Sequence, residues 1–585
     1  MKAPSYFRVL ALIASSLLGG AVHHANAAEF RVTNTSDSDG TCTSQNCSVR
    51  EAIKAANAAP TDDTIIPSTT GPANRSINLS NGELVVKNNG ALSIELPDFQ
   101  VSGEKKSRIF HIEPGARFNL RNITLVNGSA KGAAGGGALW NEGGTVALRT
   151  CLLFDSAAEQ NGGSIYSSGG SLKLEACSFT RNETAASGGA VALQGGTLIA
   201  ERSLLSFNRA ARRGAGLNIV NGTVQLLSSI VSSNIATAAD STDGGGALHI
   251  SGGSLLLDSS SVTHNNTTLA EAKTRGGLYI TGGTVTVKNS LIARNSLGGE
   301  LRDFAVAAPG TVVNGGFNLV GNNETVTAVL PAGALTGTNA VPLNPRISAP
   351  TSSYVPFLLG GSPALDAANS QLPLAQNFVR VQDLPGVPNA AGGNGSDIGA
   401  FEAPALPQSG PTFVVNSLGA DSGGCSVESC NLMQAVTAAN DDYAISGRVC
   451  VIDFDTKGLF ATRQTLEWRP LQLRGNLTIN GPEVGVNVQK IPYYASWTVE
   501  FGASVRISDF NFLGGPGPTN YGGAILNQGL LEMNRCTLSG FGSNSLGYSP
   551  ALTSSGRRLT MRNCTLTGNR DGAIGGGQLS LDSCT

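Results

Sequence analysis

The sequence predicts an all-β chain: a right-handed parallel β-helix (β-solenoid) in two tandem modules, each opened by a short N-terminal capping helix. The first observation is a six-fold repeat. Its unit reads Gly-Gly-Ala/Ser-aliphatic, a short gap, Gly-Gly-Thr/Ser-aliphatic, then Cys/Ser-x-apolar-x-x-Asn/Ser, and its first aliphatic residue falls at Leu139, Ile165, Val191, Leu217, Leu248 and Leu278. The first three steps are each 26 residues, a period that marks stacked repeats. The second observation is alternation within the unit. Val146/Leu148, Leu172/Leu174, Leu198/Ala200 and Val224/Leu226 form one alternating pair, and Cys151/Leu153, Cys177/Phe179, Ser203/Leu205, Ser229/Val231, Ser260/Val262 and Ser290/Ile292 a second. Period-two patterning means strands with one buried face, and these segments are too short and Gly-punctuated for helices. Three short strands per unit, stacked on those of the next unit about 4.8 Å away, make a coiled parallel sheet. The third is composition: 75 glycines in 585 residues, 5% aromatic and 14% charged, which suits aliphatic ladders joined by small turns. The net charge of −2 gives no reason to expect nucleic acid or an anionic membrane as partner.

Residues 1–27 read as a signal peptide, with basic Lys2 and Arg8, the apolar run Val9–Leu18 and the small-x-small site Ala25-Asn26-Ala27. That run is too short to span a bilayer and no later stretch reaches about 18 apolar residues, so no membrane-spanning helix is expected. An exported chain, extracellular or on the outer cell surface, follows. Its ten cysteines then invite disulfides. Cys42/Cys47 and Cys425/Cys430 share one spacing and are expected to be bonded. Cys151 and Cys177 share a column one turn apart, as do Cys536, Cys564 and Cys584. Adjacent parallel strands seldom meet disulfide geometry, so these read as a buried thiol ladder. Cys450 has no obvious partner. With five histidines and no zinc-type spacing, neither a metal nor a cofactor is expected.

The layout is duplicated. Val32-Thr33-Asn34-Thr35, a Cys pair and Ser48–Asn57 are matched by Val414-Val415-Asn416-Ser417, a Cys pair and Asn431–Asn440. Both read as a strand, a stapled loop and a short amphipathic helix covering an open sheet edge. The resulting order is 28–110, first cap and coils; 111–315, repeats; 316–402, a distinct region; 403–411, a Pro-containing linker; 412–480, second cap; 481–585, second β-helix. Cys47-Ser48-Val49-Arg50-Glu51-Ala52 resembles the CSLREA motif with Val in place of Leu, and Cys430-Asn431-Leu432-Met433-Gln434-Ala435 keeps its outline. The repeats resemble those of polymorphic outer-membrane proteins. Residues 316–402 resemble the choice-of-anchor Q domain at Gly316-Phe317-Asn318-Leu319, Gly361-Ser362-Pro363-Ala364-Leu365-Asp366-Ala367 and Asp397-Ile398-Gly399-Ala400-Phe401-Glu402. They depart from it at Gln382-Asp383-Leu384-Pro385-Gly386, where an Asp-Gln-Arg-Gly-like segment is usual. The resemblance implies an exported bacterial β-helix protein and carries no enzymatic activity.

Function is expected where the repeat varies. From the residue before the first aliphatic position to the unit's closing Asn or Ser the frame is constant at 18 residues, so all length variation lies in one turn. Insertions on one face of a solenoid often mark its binding face, against neutral drift as the alternative. The longer turns carry Asp240, Asp243, Glu271, Lys273 and Arg275. Beside them runs a column turned away from the core, Trp140, Tyr166, Ala192, Asn218, His249 and Tyr279, suited to stacking on sugar rings or meeting a protein, or else only to stiffening the sheet. Asn182, Asn208, Asn234, Asn265 and Asn295 form a further column, read as a structural ladder that bonds turn to turn and tolerates left-handed backbone rather than as a polar ligand track. The expected function is non-catalytic surface or extracellular binding of an unidentified glycan or protein, with an adhesive role. The alternative is a polysaccharide lyase or hydrolase, and the reading finds no acidic residues stacked at the repeat period and no charged column to support one. An autotransporter passenger would need a run of barrel strands, and none follows. The final Leu581–Thr585 falls on the Cys step inside a turn, so any anchor or sorting signal is expected beyond Thr585.

Overall fold

In the computed structural model the chain winds into two parallel β-solenoids. The structure describes residues 27–585 apart from 70–74, 133, 238–244, 269–275, 332, 334, 349–355, 373–383, 385, 420–423, 468, 490–496, 515–522, 542–549, 556–557 and 570–571. One turn shows how sequence becomes structure. Ile165–Ser167 is a short strand, Gly169 and Gly170 turn the chain, and Ser171–Glu175 is a long strand. Ser178–Thr180 is a third strand and Glu183–Thr184 a fourth. Each pairs parallel and in register with its counterparts, Leu172 standing between Val146 and Leu198. Three strands per turn were expected. The fourth, with its equivalents, builds an eight-stranded sheet of its own. Two residues are too few to carry an alternation.

The Gly-Gly turns stack because they have no side chains. Gly170 has φ 71°, and a Cβ there would fall 2.1 Å from the Gly144 carbonyl oxygen. The other two corners are left-handed without glycine. Thr150, Ala176, Arg202, Ser228, Ser259 and Asn289 end the long strands, and Asp155, Arg181, Phe207, Ser233, His264 and Arg294 end the third strands, with φ between 45° and 62°. Such backbone costs an L residue about 1 kcal/mol or more. The asparagine ladder lies immediately behind the second corner and offsets that cost. The left-handed residue is therefore the one before each asparagine, not the asparagine itself as the sequence reading had it. Asn182, Asn208, Asn234 and Asn265 each donate from Nδ2 to the next ladder oxygen at 3.0, 2.9, 2.9 and 2.8 Å. Each ladder oxygen also accepts the backbone N–H of the preceding asparagine. Asn295, the last, donates to Asp303 Oδ1 at 2.8 Å.

The cysteine columns are unpaired and buried, except for partly exposed Cys584. Cys177 Sγ donates to the Leu148 carbonyl of the previous turn, and Ser229 and Ser260 do the same further along the column. The Cys177 thiol beside it and burial push the Cys151 thiol well up. Cys450 lies under the second cap, where burial and then the Asp442 carboxylate push its thiol up to about 11.

Each solenoid has its own core, one running from Val32 to Leu330 and one from Phe413 to Cys564. Helix α1 (Val49–Ala58) caps the first, burying Val49, Ala52, Ile53 and Ala56, and helix α2 (Leu432–Ser446) caps the second. Disulfides Cys42–Cys47 and Cys425–Cys430 staple the loops before them. The caps match bond for bond. Ser48 and Glu51 form a capping box, as do Asn431 and Gln434. The Cys47 N–H donates to Thr33 and the Cys430 N–H to Asn416. Asn57 pins Val85 and Lys87 of the first turn, and Asn440 pins Gln472 and Arg474 of the second.

Residues of the 316–402 stretch cover the outer side of the last third strands. Ile347, Ala364, Leu365 and Ile398 bury Leu291, Ala293 and Leu319, and the Ala400 N–H donates to Ser261 Oγ at 3.0 Å. The stretch from 403 to 411 is hydrogen-bonded to the second cap, Gln408 Nε2 donating to the carbonyls of Val414 and Ser426. Arg346 then pairs with buried Asp442 of α2 at 2.9 Å.

Candidate functional site

Two outward faces of the first solenoid carry chemistry. The short strands place His111, Trp140, Tyr166, Ala192, Asn218, His249 and Tyr279 side by side as successive register partners. His111 extends the expected column by one turn. Its ring stacks on the Trp140 indole, centroids 4.2 Å apart and 9° between planes. Arg108 lies 5.1 Å from the same ring, a cation–π distance. His111 Nε2 is 3.0 Å from Glu142 and Nδ1 3.3 Å from Glu83, which also pairs with Arg108. Arg108 donates in addition to the carbonyls of Ala134, Gly135 and Gly136, fixing the turn that leads to Trp140. The Trp140 Nε1–H is buried and, among the described residues, has no hydrogen-bond partner. Trp140, His111 and Tyr166 are half-buried and Glu142 is exposed. His111 occupies one face of the indole, and half-buried Tyr166 and the exposed Glu142 carboxylate stand beside it.

The far end of the column is different. His249 was expected to face outward to a ligand, but it is 1% exposed. Its Nδ1 is 2.7 Å from Asn218 Oδ1, its Nε2 3.3 Å from Thr281 Oγ1, and its ring 5.5 Å from that of Tyr279. Alternation fixed the side of the strand correctly; the packed neighbours Asn218 and Tyr279 then closed over the ring. Tyr279 is half-buried. Asp240, Asp243, Glu271, Lys273 and Arg275 lie outside the described residues.

The second face belongs to the long strands, and it corrects the reading that no charged column exists. Their fifth positions place Glu95, Arg121, Arg149, Glu175 and Glu201 in register on successive turns. Glu175 and Glu201 are thus acidic residues stacked at the repeat period. Glu175 pairs with Arg202 and with Arg149, and Glu201 lies 3.7 Å from Lys173. These charges sit at the outward fifth position of each long strand, whereas the second and fourth positions that carry the alternation face the core. Among the described residues no group of three His, Cys, Asp or Glu side chains is placed to hold a metal ion. No helix among them is long and apolar enough to cross a membrane.

The fold and these faces define a parallel β-solenoid protein with two capped modules. No protein-family model matches the chain, and no curated protein matches it. Among solved structures it is similar to a mutant of the PL6 family alginate lyase AlyGC, at 9% identity and a TM-score of 0.19, over 93% of this chain and 85% of that one. A likeness that slight carries no statement about activity.

Proposed function

We propose that this chain is an exported, non-catalytic binding protein of the bacterial cell surface or exterior, of the CSLREA and choice-of-anchor Q kind, with an adhesive role. The observation that carries this reading is the pair Trp140 and Tyr166. They stand on adjacent turns, half-buried and edged by exposed Glu142. Aromatic edges beside carboxylates suit a ligand that is apolar on one side and hydroxylated on the other. The two stapled caps fit an oxidising compartment. Replacing Trp140 and Tyr166 together by Ser is expected to weaken binding on a glycan array or to whole cells about tenfold or more. Unchanged binding by the folded variant removes the reading.

One observation favours a polysaccharide-active enzyme instead: the stacked pair Glu175 and Glu201. Glu175 is held by Arg202 and Arg149, so it does not stand free as an acid or base. Incubation with acidic and neutral polysaccharides, with and without calcium, is expected to show no turnover. Turnover that Glu175→Gln abolishes would establish the enzyme.

A further inference from the structure

The long-strand face carries a run of cations, Arg121, Arg149 and Lys173, that the protein's own carboxylates pair loosely or not at all. Arg121 and Arg149 are register partners on adjacent strands, and Lys173 is the register partner of Ala147 on the next turn. The small Ala147 side chain leaves a shallow depression between them, closed by Asn119 and Glu175. Like charges directly opposite one another on paired strands repel. Arg121 is exposed and, among the described residues, forms no ion pair, while its other register neighbour, Glu95, accepts from Asn122 Nδ2. Arg149 and Lys173 make only loose pairs, 3.6 Å from Glu175 and 3.7 Å from Glu201, and their side chains are 55% and 51% exposed. This concentration sits in a chain whose net charge is −2, so it is a local feature and not a general basicity.

We propose that this face binds a linear acidic polysaccharide, bearing carboxylates or sulfates, laid along the solenoid axis with its anionic groups on Arg121, Arg149 and Lys173. The cations recur turn by turn at about 4.8 Å, and a periodic ligand engages such a row through several weak contacts at once. An anion between Arg121 and Arg149 relieves their repulsion. Glu175 and Glu201 accept hydrogen bonds from sugar hydroxyls, a role that a nucleic-acid backbone of phosphodiesters does not fill. The outward positions of the long strands from Arg117 to Glu201 carry no aromatic side chain, so the base-stacking platform of single-strand binders is missing. The proposal does not depend on Trp140 or Tyr166, which lie on another sheet.

The test is affinity electrophoresis or calorimetry on the full chain with polygalacturonate, dextran sulfate, neutral dextran and poly(dT). Binding to one or both acidic polymers is expected, weakening as salt is raised because the cations are exposed, and the two acidic arms tell carboxylate from sulfate recognition. Neutral dextran is expected not to bind. The double substitution Arg121→Gln, Arg149→Gln is expected to weaken binding about tenfold or more without lowering the melting temperature, since it removes a repulsion and no ion pair closer than that of Arg149. Trp140→Ser is expected to leave this binding unchanged, which separates its failure from that of the adhesive reading. The proposal is overturned if neither acidic polymer binds, if the double variant binds as the parent does, or if poly(dT) binds as tightly as the polysaccharides.

Discussion

Replacing Asn234 by alanine is expected to destabilise the middle of the first solenoid by about 3–5 kcal/mol. Asn234 Oδ1 accepts both the backbone N–H and the Nδ2 of Asn208, while its own Nδ2 donates to the Leu205 carbonyl and to Asn265 Oδ1. Truncation leaves two buried N–H donors of Asn208 without partners and takes one bond from the Leu205 carbonyl, and each orphaned donor costs about 1–3 kcal/mol. Asn265 keeps the Asn234 backbone N–H and is not orphaned. Because each turn touches only its neighbours, the damage stays local and a single unfolding free energy describes it poorly. Native-state hydrogen exchange is the measurement: protection should fall in the turns flanking Asn234 while the second module keeps its own. Asn234→Asp is the sharper control. It preserves shape and the accepting oxygen but turns a donor into a second acceptor facing the Leu205 carbonyl, so it should rescue nothing. Equal protection in the alanine variant and the parent would mean that the ladder does not hold the turns together.

How much of this was legible follows from which residues face inward. The long and third strands were readable because their core positions alternate over every turn. The left-handed corners were not, since Thr150, Ala176, Arg202 and Ser228 have no chemistry in common; stacking imposes their backbone, not their side chains. The second cap was faint by letters and is clear by bonds. Asn431 and Gln434 share no side chain with Ser48 and Glu51, yet they close the same box, because what the position needs is a short acceptor followed three residues later by a carbonyl or carboxylate.

The candidate faces were half legible for the same reason. Trp140 and Tyr166 could be found from phase alone. His111 could not, because it precedes the first Gly-Gly-Ala unit, although it is the Trp140 position one turn earlier. Glu83 and Arg108 reach the site from the first coils, where no repeat is visible, and only the winding of the chain brings them to Trp140. The charged column was present in the repeat period throughout, at Arg149, Glu175 and Glu201, and needed only the fifth position of the strand to be followed.

The end of the asparagine ladder carries the other large prediction, a stability that falls as pH rises. Every ladder amide donates in one direction, so the series must finish on an acceptor, and that acceptor is Asp303. Its side chain is fully buried, its Oδ1 takes both the Nδ2 and the backbone N–H of Asn295, and among the described residues its Oδ2 makes no hydrogen bond. Burial pushes this carboxyl up to about 7, with the Asn295 bonds opposing and Glu324, itself paired with Arg302, adding to the rise. An unfolded Asp titrates near about 3.9. Between those two values the folded chain holds a proton that the unfolded chain has lost, so unfolding free energy declines as pH rises through that window and levels off above about 7. The whole decline is on the order of 4 kcal/mol as an upper bound, at 1.36 kcal/mol for each unit of difference. Asp303→Asn keeps an oxygen for Asn295 and carries no charge to bury. It is therefore expected to match the parent only below about pH 4, to melt several degrees higher near pH 8, and to lose the slope between them. Melting curves of both proteins across that range decide it. A parent whose melting temperature does not fall from about pH 5 to about pH 8, or an Asn variant with the same slope, would show that some other group sets the pH dependence.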